Sequence, residues 1–599
     1  MNRRSFLKNA AQTAIVGFTP RSLFAKKSFR RRRPSDANWP SQAAWKRLHD
    51  EVDGKLIPVE FPLAPCIADV DGAGCKSLLT DVEIHNPYYI GDQPGLTQTL
   101  GWVDAWWTKP SAYAIAADNA QHLAAAVNFA RENDLRLVVK GGGHSYLGTS
   151  NAPDSLLAWT RHMHDVTMHE KFVPQGCEKT QQPLRAVTCG PGTIWMQAYT
   201  TVTTKNGGYV QGGGCTTVGV AGLVQSGGFG SFSKHYGSSA GSLLEAEVIT
   251  ADGKIRTVNA CNDPDLFWAL KGGGGGTFGV VSNLTLRVHE LPEFMGGVIQ
   301  TITATSDDAF RRLIRYFVDF YHDQLFNHRW GEQIFISSAN RLGVRMVSHG
   351  VSADDAKKIW QPFLDWVNGQ RGAYSFTGDR LIASIPAQRW WDVEWSSKNL
   401  PGRFVSDARP GADANNVWWS GDAGQVAQTL YGYESLWLPA SLLEAGSRER
   451  LAGALFAGSR YQGIGMHFNK GLAGAPPEAI ERSRDTATNP AALNAFCLVI
   501  VADGGGGYPG IKGHLPDVAA ARESRKKIHQ CVNELRDIGG TGAYVSESNF
   551  FEEDFQHAYW GSNYARLASV KKKYDPDGLF FVHNGVGSEQ WSKDGFVKL

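Results

Sequence analysis

A short apolar run at 111–117, SAYAIAA, predicts a strand. The next segment, NAQHLAAAVNFAREN at 119–133, puts Leu123, Val127 and Ala130 on one face of an amphipathic helix. LRLVVK follows as a second strand, which exits directly into GGGHS. Short strands are also predicted at 155–159 and 186–188, and a helix over 192–206 ending in a glycine-rich turn. The runs 244–250 and 254–258, joined by ADG, read as a hairpin, and 263–291 as a short helix, a glycine loop and a long strand. Beyond about Pro292 the spacing changes. Helical patterns over 306–321, 353–368 and 519–537 alternate with β-rich runs at 335–337, 342–348 and 496–501, which predicts one sheet backed by helices. The tail carries a helix stopped by Asp575-Pro576 and then a short strand. Residues 34–100 are rich in Pro, Gly and Asp without a sustained period and read as an irregular arm. The fold class is α+β, and 599 residues are too many for one ordinary core, so two packed domains are expected.

Composition narrows the class. Hydrophobic content of 42%, charged content of 20% and a mean hydropathy of −0.28 fit a soluble globular protein. Trp pairs at Trp106-Trp107, Trp390-Trp391 and Trp418-Trp419 can pack a core or stack a sugar or aromatic substrate. The first 33 residues hold ten Lys or Arg and no acid, so a net charge of +2 leaves the rest at −8, which disfavours a nucleic-acid partner. NRRSFLK at 2–8 is a twin-arginine pattern, followed at 10–18 by an apolar stretch too short to span a bilayer. The expectation is a bacterial protein exported by the twin-arginine machinery to the periplasm or beyond. The arginine run at 30–33 would flank that signal, with no stable membrane anchor. Cys66/Cys75 and Cys177/Cys189, among eight cysteines, lie on loop-like segments at short separations suited to bridges in an exported protein. Without a CxxC or a Cys/His set at zinc spacing, no metal site is expected.

Two segments set a reactive side chain in glycine-rich backbone: VVKGGGHSYLG around His144 and GGGCTTVGVAGLVQSGGFG around Cys215. Glycines let main-chain N–H groups close around a phosphate or a ring, because no side chain blocks the approach. The pair points to a flavin held by backbone and bonded through both residues. Gly141, Gly142, Gly143 and Ser145 form one cradle, and Gly222, Gly227 and Gly228 stand where a second wall is needed. Lys140, Gly148, Thr217, Gly219 and Val280 complete the contacts expected there.

KGGGHSY, GGGCTTVGVAGLVQSGGFGSFSKHYG, DPDLFWALKGGGGGTFGVVSNLTLRV and NYARLASVKKKYDPDGLF occur in that order. Together they resemble the berberine-bridge-enzyme-like branch of the vanillyl-alcohol-oxidase flavoproteins, over about 102–291 and 540–591. The resemblance implies a two-part FAD-binding domain of the p-cresol-methylhydroxylase (PCMH) type at 102–291 and a substrate domain with an antiparallel sheet backed by helices at 292–550. A C-terminal segment, 551–599, returns to the FAD domain. The export signal with its flank at 1–33 and the arm at 34–101 precede them.

The same resemblance implies that His144 bonds the 8α carbon of FAD and Cys215 its C6. Val218 matches a gate where valine goes with oxidases, and Asn584 sits where a contact to the ring is expected. Tyr544 in GAYVSES matches the tyrosine of a Tyr-x-Asn motif, with Ser546 in place of the asparagine, and Tyr146 a second active-site tyrosine. A phenol with a pKa near about 10 is a poor base at neutral pH, so Tyr544 needs a nearby cation, for which His467 and Lys470 are candidates. Glu547 is the alternative base.

The implied activity is an FAD-dependent oxidase taking a hydride from an alcohol or hemiacetal carbon, a sugar or oligosaccharide favoured, and reducing dioxygen to hydrogen peroxide. A secondary-metabolite oxidase or a flavin dehydrogenase is the alternative. A secreted carbohydrate-binding protein that lost the reaction is the rival from another class.

Overall fold

The computed structural model describes residues 29–80, 82–370, 372–508 and 510–599. Asn119 caps the helix Ala120–Glu132 by accepting from the His122 N–H at 3.0 Å, and Leu123, Val127 and Ala130 of that helix are buried. They pack on a four-stranded sheet in which Tyr113–Ala116, Ser155–Trp159 and Arg136–Lys140 run parallel, with Leu56–Pro58 antiparallel at its edge. A second, antiparallel sheet orders Ile255–Asn259, Leu243–Ile249, Val280–Glu290, Leu184–Cys189 and Val166–Phe172. Ile249 and Val280 of this sheet join the same apolar core as the helix.

A third sheet has ten strands. It orders Tyr374–Phe376, Phe294–Ala304, Arg341–His349, Trp330–Ser337, Ile464–His467, Ala495–Gly505, Gln428–Pro439, Thr99–Trp102 and Trp106–Trp107, with Leu381–Pro386 also on Phe294–Ala304. Helices Asp307–Phe320, Ala353–Gly369, Arg448–Ser459 and Val518–Arg536 supply side chains to the core on one of its faces. The first starts where Ser306 accepts from the Ala309 N–H at 3.2 Å, with Asp307 and Asp308 in the first turn. Strand alternation sorts the two faces. Leu342 and Val344 are buried with the helices, whereas Arg341, Gly343 and Arg345 line a cavity on the other side.

Three expectations need correction. The stretch read as an irregular arm contains the helix Gln42–Glu51, capped by Ser41, whose Trp45 and Leu48 are buried three residues apart. The arginine run, expected as a flank of an export signal, is part of the fold. Arg31 is buried over the Trp591 ring at 4.1 Å and donates to the carbonyls of Gly595 at 2.8 Å and Gly578, while Arg33 pairs with Asp154 at 2.8 Å and Asp594 at 2.6 Å. Cys66 is bonded to Cys75, but Cys177 is bonded to Cys261 and not to Cys189. Cys189 ends the strand Leu184–Cys189 and is buried opposite Leu284, so it belongs to a sheet and not to a loop. The twin-arginine motif itself lies outside the described residues. Among these, no helix is long and apolar enough to cross a membrane.

Candidate active site

One cavity of about 1760 Å³ joins all three large sheets. An ordinary small-molecule pocket holds roughly 300–1,000 Å³, so this one has room for a large cofactor and a second ligand. Its inner part is bounded by Gly141–Ser145, the 213–226 segment, Gly274–Thr277 and Val582–Gly585. Its outer part lies on the free face of the ten-stranded sheet.

His144 sits in the loop leaving the C-terminal end of strand Arg136–Lys140, and Cys215 in the loop after strand Gly208–Val210; both line the cavity. The two loops meet back to back at Gly142 and Gly219, where a Cβ on Gly142 would come within 2.8 Å of the Gly219 nitrogen. Burial pushes the His144 imidazole down to about 4, so it is neutral at physiological pH, and its Nε2 is buried without a partner. A hydrogen bond to the Thr217 backbone opposes that shift. Burial raises the Cys215 thiol well above its ordinary value, and its sulfur accepts from Gln425 Nε2 at 3.0 Å. Gly222 has open space where its Cβ would be, and so faces the cavity directly. An orphaned imidazole nitrogen, a sulfur facing the same cavity and glycine walls fit a flavin nucleotide.

The cavity brings together Gly141, Gly142, Gly143, Ser145, Val218, Gly219, Gly222 and Asn584 of the expected cofactor contacts, with Tyr146 and Tyr544. Six others stand back from it. The Lys140 amine donates to the carbonyls of Gln93, Pro94 and Leu96 at 3.1, 2.7 and 3.0 Å, so it ties the N-terminal segment to the cradle from behind. Gly148 has φ +70° and lies under the Trp106 ring, a packing role. Gly227 abuts Thr488, and the Gly228 N–H donates to the Tyr544 hydroxyl at 3.3 Å, so Gly228 holds the tyrosine and neither glycine lines the cavity. Val280 faces the core of helix Ala120–Glu132 while Val281 lines the cavity, a one-residue difference that reverses the face of a strand. The Thr217 side chain is buried away from the cavity, although its backbone meets His144.

The proton-handling groups depart from expectation. A tight turn, in which the Glu547 N–H donates to the Tyr544 carbonyl at 2.8 Å, returns Glu547 to the cavity beside Tyr544. Lys470 lies 6.0 Å from the Tyr544 ring centroid, but its amine is held by both Glu547 oxygens, Oε1 at 2.5 Å. Burial, reinforced by Glu547, raises the Tyr544 phenol above its ordinary range, so the expected phenolate is not formed at neutral pH. His467 is lowered well below its ordinary value by burial and then by Lys470, so it supplies no positive charge to Tyr544. The Tyr146 hydroxyl donates to Gln425 Oε1 at 3.4 Å, and its ring packs on Tyr433 at 5.0 Å.

Sequence reasoning missed Gln425, which links Tyr146 to Cys215, and Asp422, which accepts from the Thr216 N–H at 2.8 Å and hydroxyl at 2.6 Å. It also missed Glu332, which lines the cavity with φ +61° in mid-strand, accepts from the Ser231 hydroxyl and has its pKa raised by burial. None of these sits in a periodic or glycine-rich motif, so no local signal marks them.

An FAD binding domain pattern matches residues 110–259, and a berberine and berberine-like pattern matches 543–587. The chain is 31% identical to the FAD-linked oxidoreductase malF of Malbranchea aurantiaca, over 94% of this chain and 93% of that one. The VAO-type flavoprotein MtVAO615 from Myceliophthora thermophila C1 superposes with a TM-score of 0.75 at 24% identity, covering 95% of this chain and 99% of that one. Glucooligosaccharide oxidase from Acremonium strictum, which carries 6-S-cysteinyl, 8α-N1-histidyl FAD, superposes with a TM-score of 0.60 at 20% identity over 88% and 99%. The related sequences are fungal, from Malbranchea, Trichophyton, Gibberella and Thermothelomyces, which overturns the expectation of a bacterial protein exported through the twin-arginine pathway.

Proposed function

This chain belongs to the FAD-linked oxidoreductases of the berberine-bridge-like branch of vanillyl-alcohol-oxidase flavoproteins, and from that membership we propose an oxidase acting on an alcohol or hemiacetal carbon of a small molecule, with FAD attached at His144 and Cys215 and dioxygen as the final acceptor. The observation that carries this reading is the pair itself: a neutral imidazole with an unpartnered nitrogen and a thiol sulfur, both lining one glycine-walled cavity. The double attachment in the Acremonium enzyme supports the same use of the two side chains.

When bound, FAD supplies the hydride acceptor and passes the electrons on to dioxygen, yielding peroxide. Glu547, fixed by Lys470, takes the substrate hydroxyl proton at its carboxylate oxygen. Tyr544 stays protonated and orients that hydroxyl, itself held by the Gly228 N–H. Gln425 clamps the Cys215 sulfur and receives the Tyr146 hydroxyl, so both are positioned by one amide. Val218 leaves more room at the cavity wall than a leucine would, in keeping with access for dioxygen.

Denaturing the purified yellow protein tests the attachment. Colour is expected to stay with the polypeptide, to stay in His144→Ala and in Cys215→Ala, and to be released only from the double variant. Colour released from the unchanged chain overturns covalent attachment. Peroxide is then measured over a panel of sugars, oligosaccharides and aromatic alcohols; substrate-dependent bleaching of the flavin without peroxide would reassign the protein as a dehydrogenase.

A further inference from the structure

Oxidation of a neutral alcohol requires no cation in the outer cavity, yet Arg341, Arg345 and Arg403 all line it. Arg341 and Arg345 are exposed and share the cavity face of strand Arg341–His349. Arg403 is half-buried, its guanidinium 4.6 Å from the Trp390 ring centroid and 5.5 Å from that of Phe404. Among the described residues no oxygen accepts from any of the three guanidinium groups. Burial alone pushes Arg403 down to about 10. The Arg403 guanidinium thus lies against two aromatic faces with its N–H edge open to the cavity, and that edge lacks a protein acceptor.

The acids facing the same space do not relieve it. Glu547 is held by Lys470, Glu332 accepts from Ser231, and Asp379 is exposed at the rim. Arg403 is also tied to the inner site. The Ser420 N–H donates to its carbonyl at 2.9 Å, and the adjacent Trp419 N–H donates to the hydroxyl of Thr216, the residue after Cys215, at 2.9 Å. The paired strands Phe404–Ser406 and Val417–Trp419 keep that spacing.

We propose that the substrate of this site carries a carboxylate, bound by Arg403 and drawn in by Arg345 and Arg341, with its body laid against the exposed rings of Trp419 and Phe335. A planar guanidinium meets a carboxylate through two parallel hydrogen bonds, which neither a hydroxyl nor an amide reproduces. An aromatic acid and a sugar ending in a uronic acid both present that group. The word substrate rests on the oxidase reading; the binding site does not.

The test uses two matched pairs on the flavin-loaded protein, benzoate against benzamide and glucuronate against glucose, followed by flavin absorbance and by tryptophan fluorescence. At least one acid is expected to bind about tenfold to a hundredfold more tightly than its neutral partner. Arg403→Gln abolishes that preference and Arg403→Lys restores part of it, with flavin content and melting temperature unchanged. Stronger binding of benzoate assigns an aromatic acid and stronger binding of glucuronate a uronic acid; either supports the proposal. Equal affinity within both pairs overturns it, as does an Arg403→Gln protein that keeps both its flavin and its preference for the acid. If Arg403→Gln does not fold, the unchanged protein decides: acid binding that weakens with added salt while amide binding holds supports the proposal, and salt-indifferent acid binding overturns it. Carboxylate binding together with failure of any acidic alcohol to reduce the flavin removes the oxidase reading and leaves the site standing.

Discussion

Glu547 and Tyr544 sit three residues apart on one turn, and their surroundings assign them different work. The phenol is buried and faces a carboxylate, and these two outweigh the opposing hydrogen bond it accepts from the Gly228 N–H and leave it holding its proton. The carboxylate has a lysine on one side and the cavity on the other. Glu547→Gln is therefore expected to slow flavin reduction by about 10²–10⁴-fold, the usual effect of a positioned base. Tyr544→Phe keeps the edge-to-face contact with Phe229 at 5.3 Å and loses one hydrogen bond, a fall of roughly tenfold. Anaerobic stopped-flow reduction of both variants separates the roles. A slower Tyr544→Phe than Glu547→Gln returns the base to the tyrosine. Motif spacing alone places both residues at the site; only the pairing of Lys470 with Glu547, across 77 positions of chain, tells them apart.

Elements whose pattern is local are legible in the sequence, and those defined by what lies behind them are not. Helix Ala120–Glu132 and its flanking strands follow from apolar spacing and an asparagine cap. The glycine loops are equally visible, yet each glycine in them has its own reason. Gly142 is glycine because another backbone touches it, and Gly222 because the cavity begins there. Gly142→Ala would force the His144 and Cys215 loops apart and is expected to destabilise the protein by about 1–3 kcal/mol, with or without flavin. Gly222→Ala meets no protein atom within 4 Å and sits in the helix Val220–Gln225, where alanine is favoured by up to about 1 kcal/mol. It should fold at least as well as the unchanged chain and lose flavin, because its methyl enters the cradle. Flavin content beside urea melts of both variants checks this; full loading of Gly222→Ala would mean that the cofactor does not use that wall.

At the scale of the molecule the sheets meet through contacts that no window of sequence contains. The arginine run at 30–33 reads as the flank of an address by composition and becomes structure only when residues 595–597 and Trp591 come to lie against it. A second long-range junction is made of histidine. His235, at 2.8 Å from His328 and stacked at 3.8 Å on His349, lies where the Cys215 segment meets the end of strand Arg341–His349. Tyr236 joins His349 at 2.8 Å and packs against His289. Burial, with Arg287, Arg329 and Arg482 nearby, pushes His235 down to about 4 and both His289 and His349 to about 3, and lowers His328.

Above about pH 6.5 these rings are neutral in the folded and unfolded chains, and they add no pH dependence. Below it the unfolded chain takes up protons that the folded protein refuses, so stability falls with pH until the folded values near 3 to 4 are reached. The buried acids Glu332, Asp422 and Glu552, whose pKa is raised, act in the opposite sense and soften the slope without reversing its cause. Urea midpoints measured from pH 7 to pH 4 are expected to drop steadily. His349→Gln, which removes one of the stacked rings, should flatten the drop between about pH 6.5 and 4.5, a window above the ordinary range of exposed carboxylates. An unchanged slope in that variant would move the acid sensitivity away from the junction between the second and third sheets.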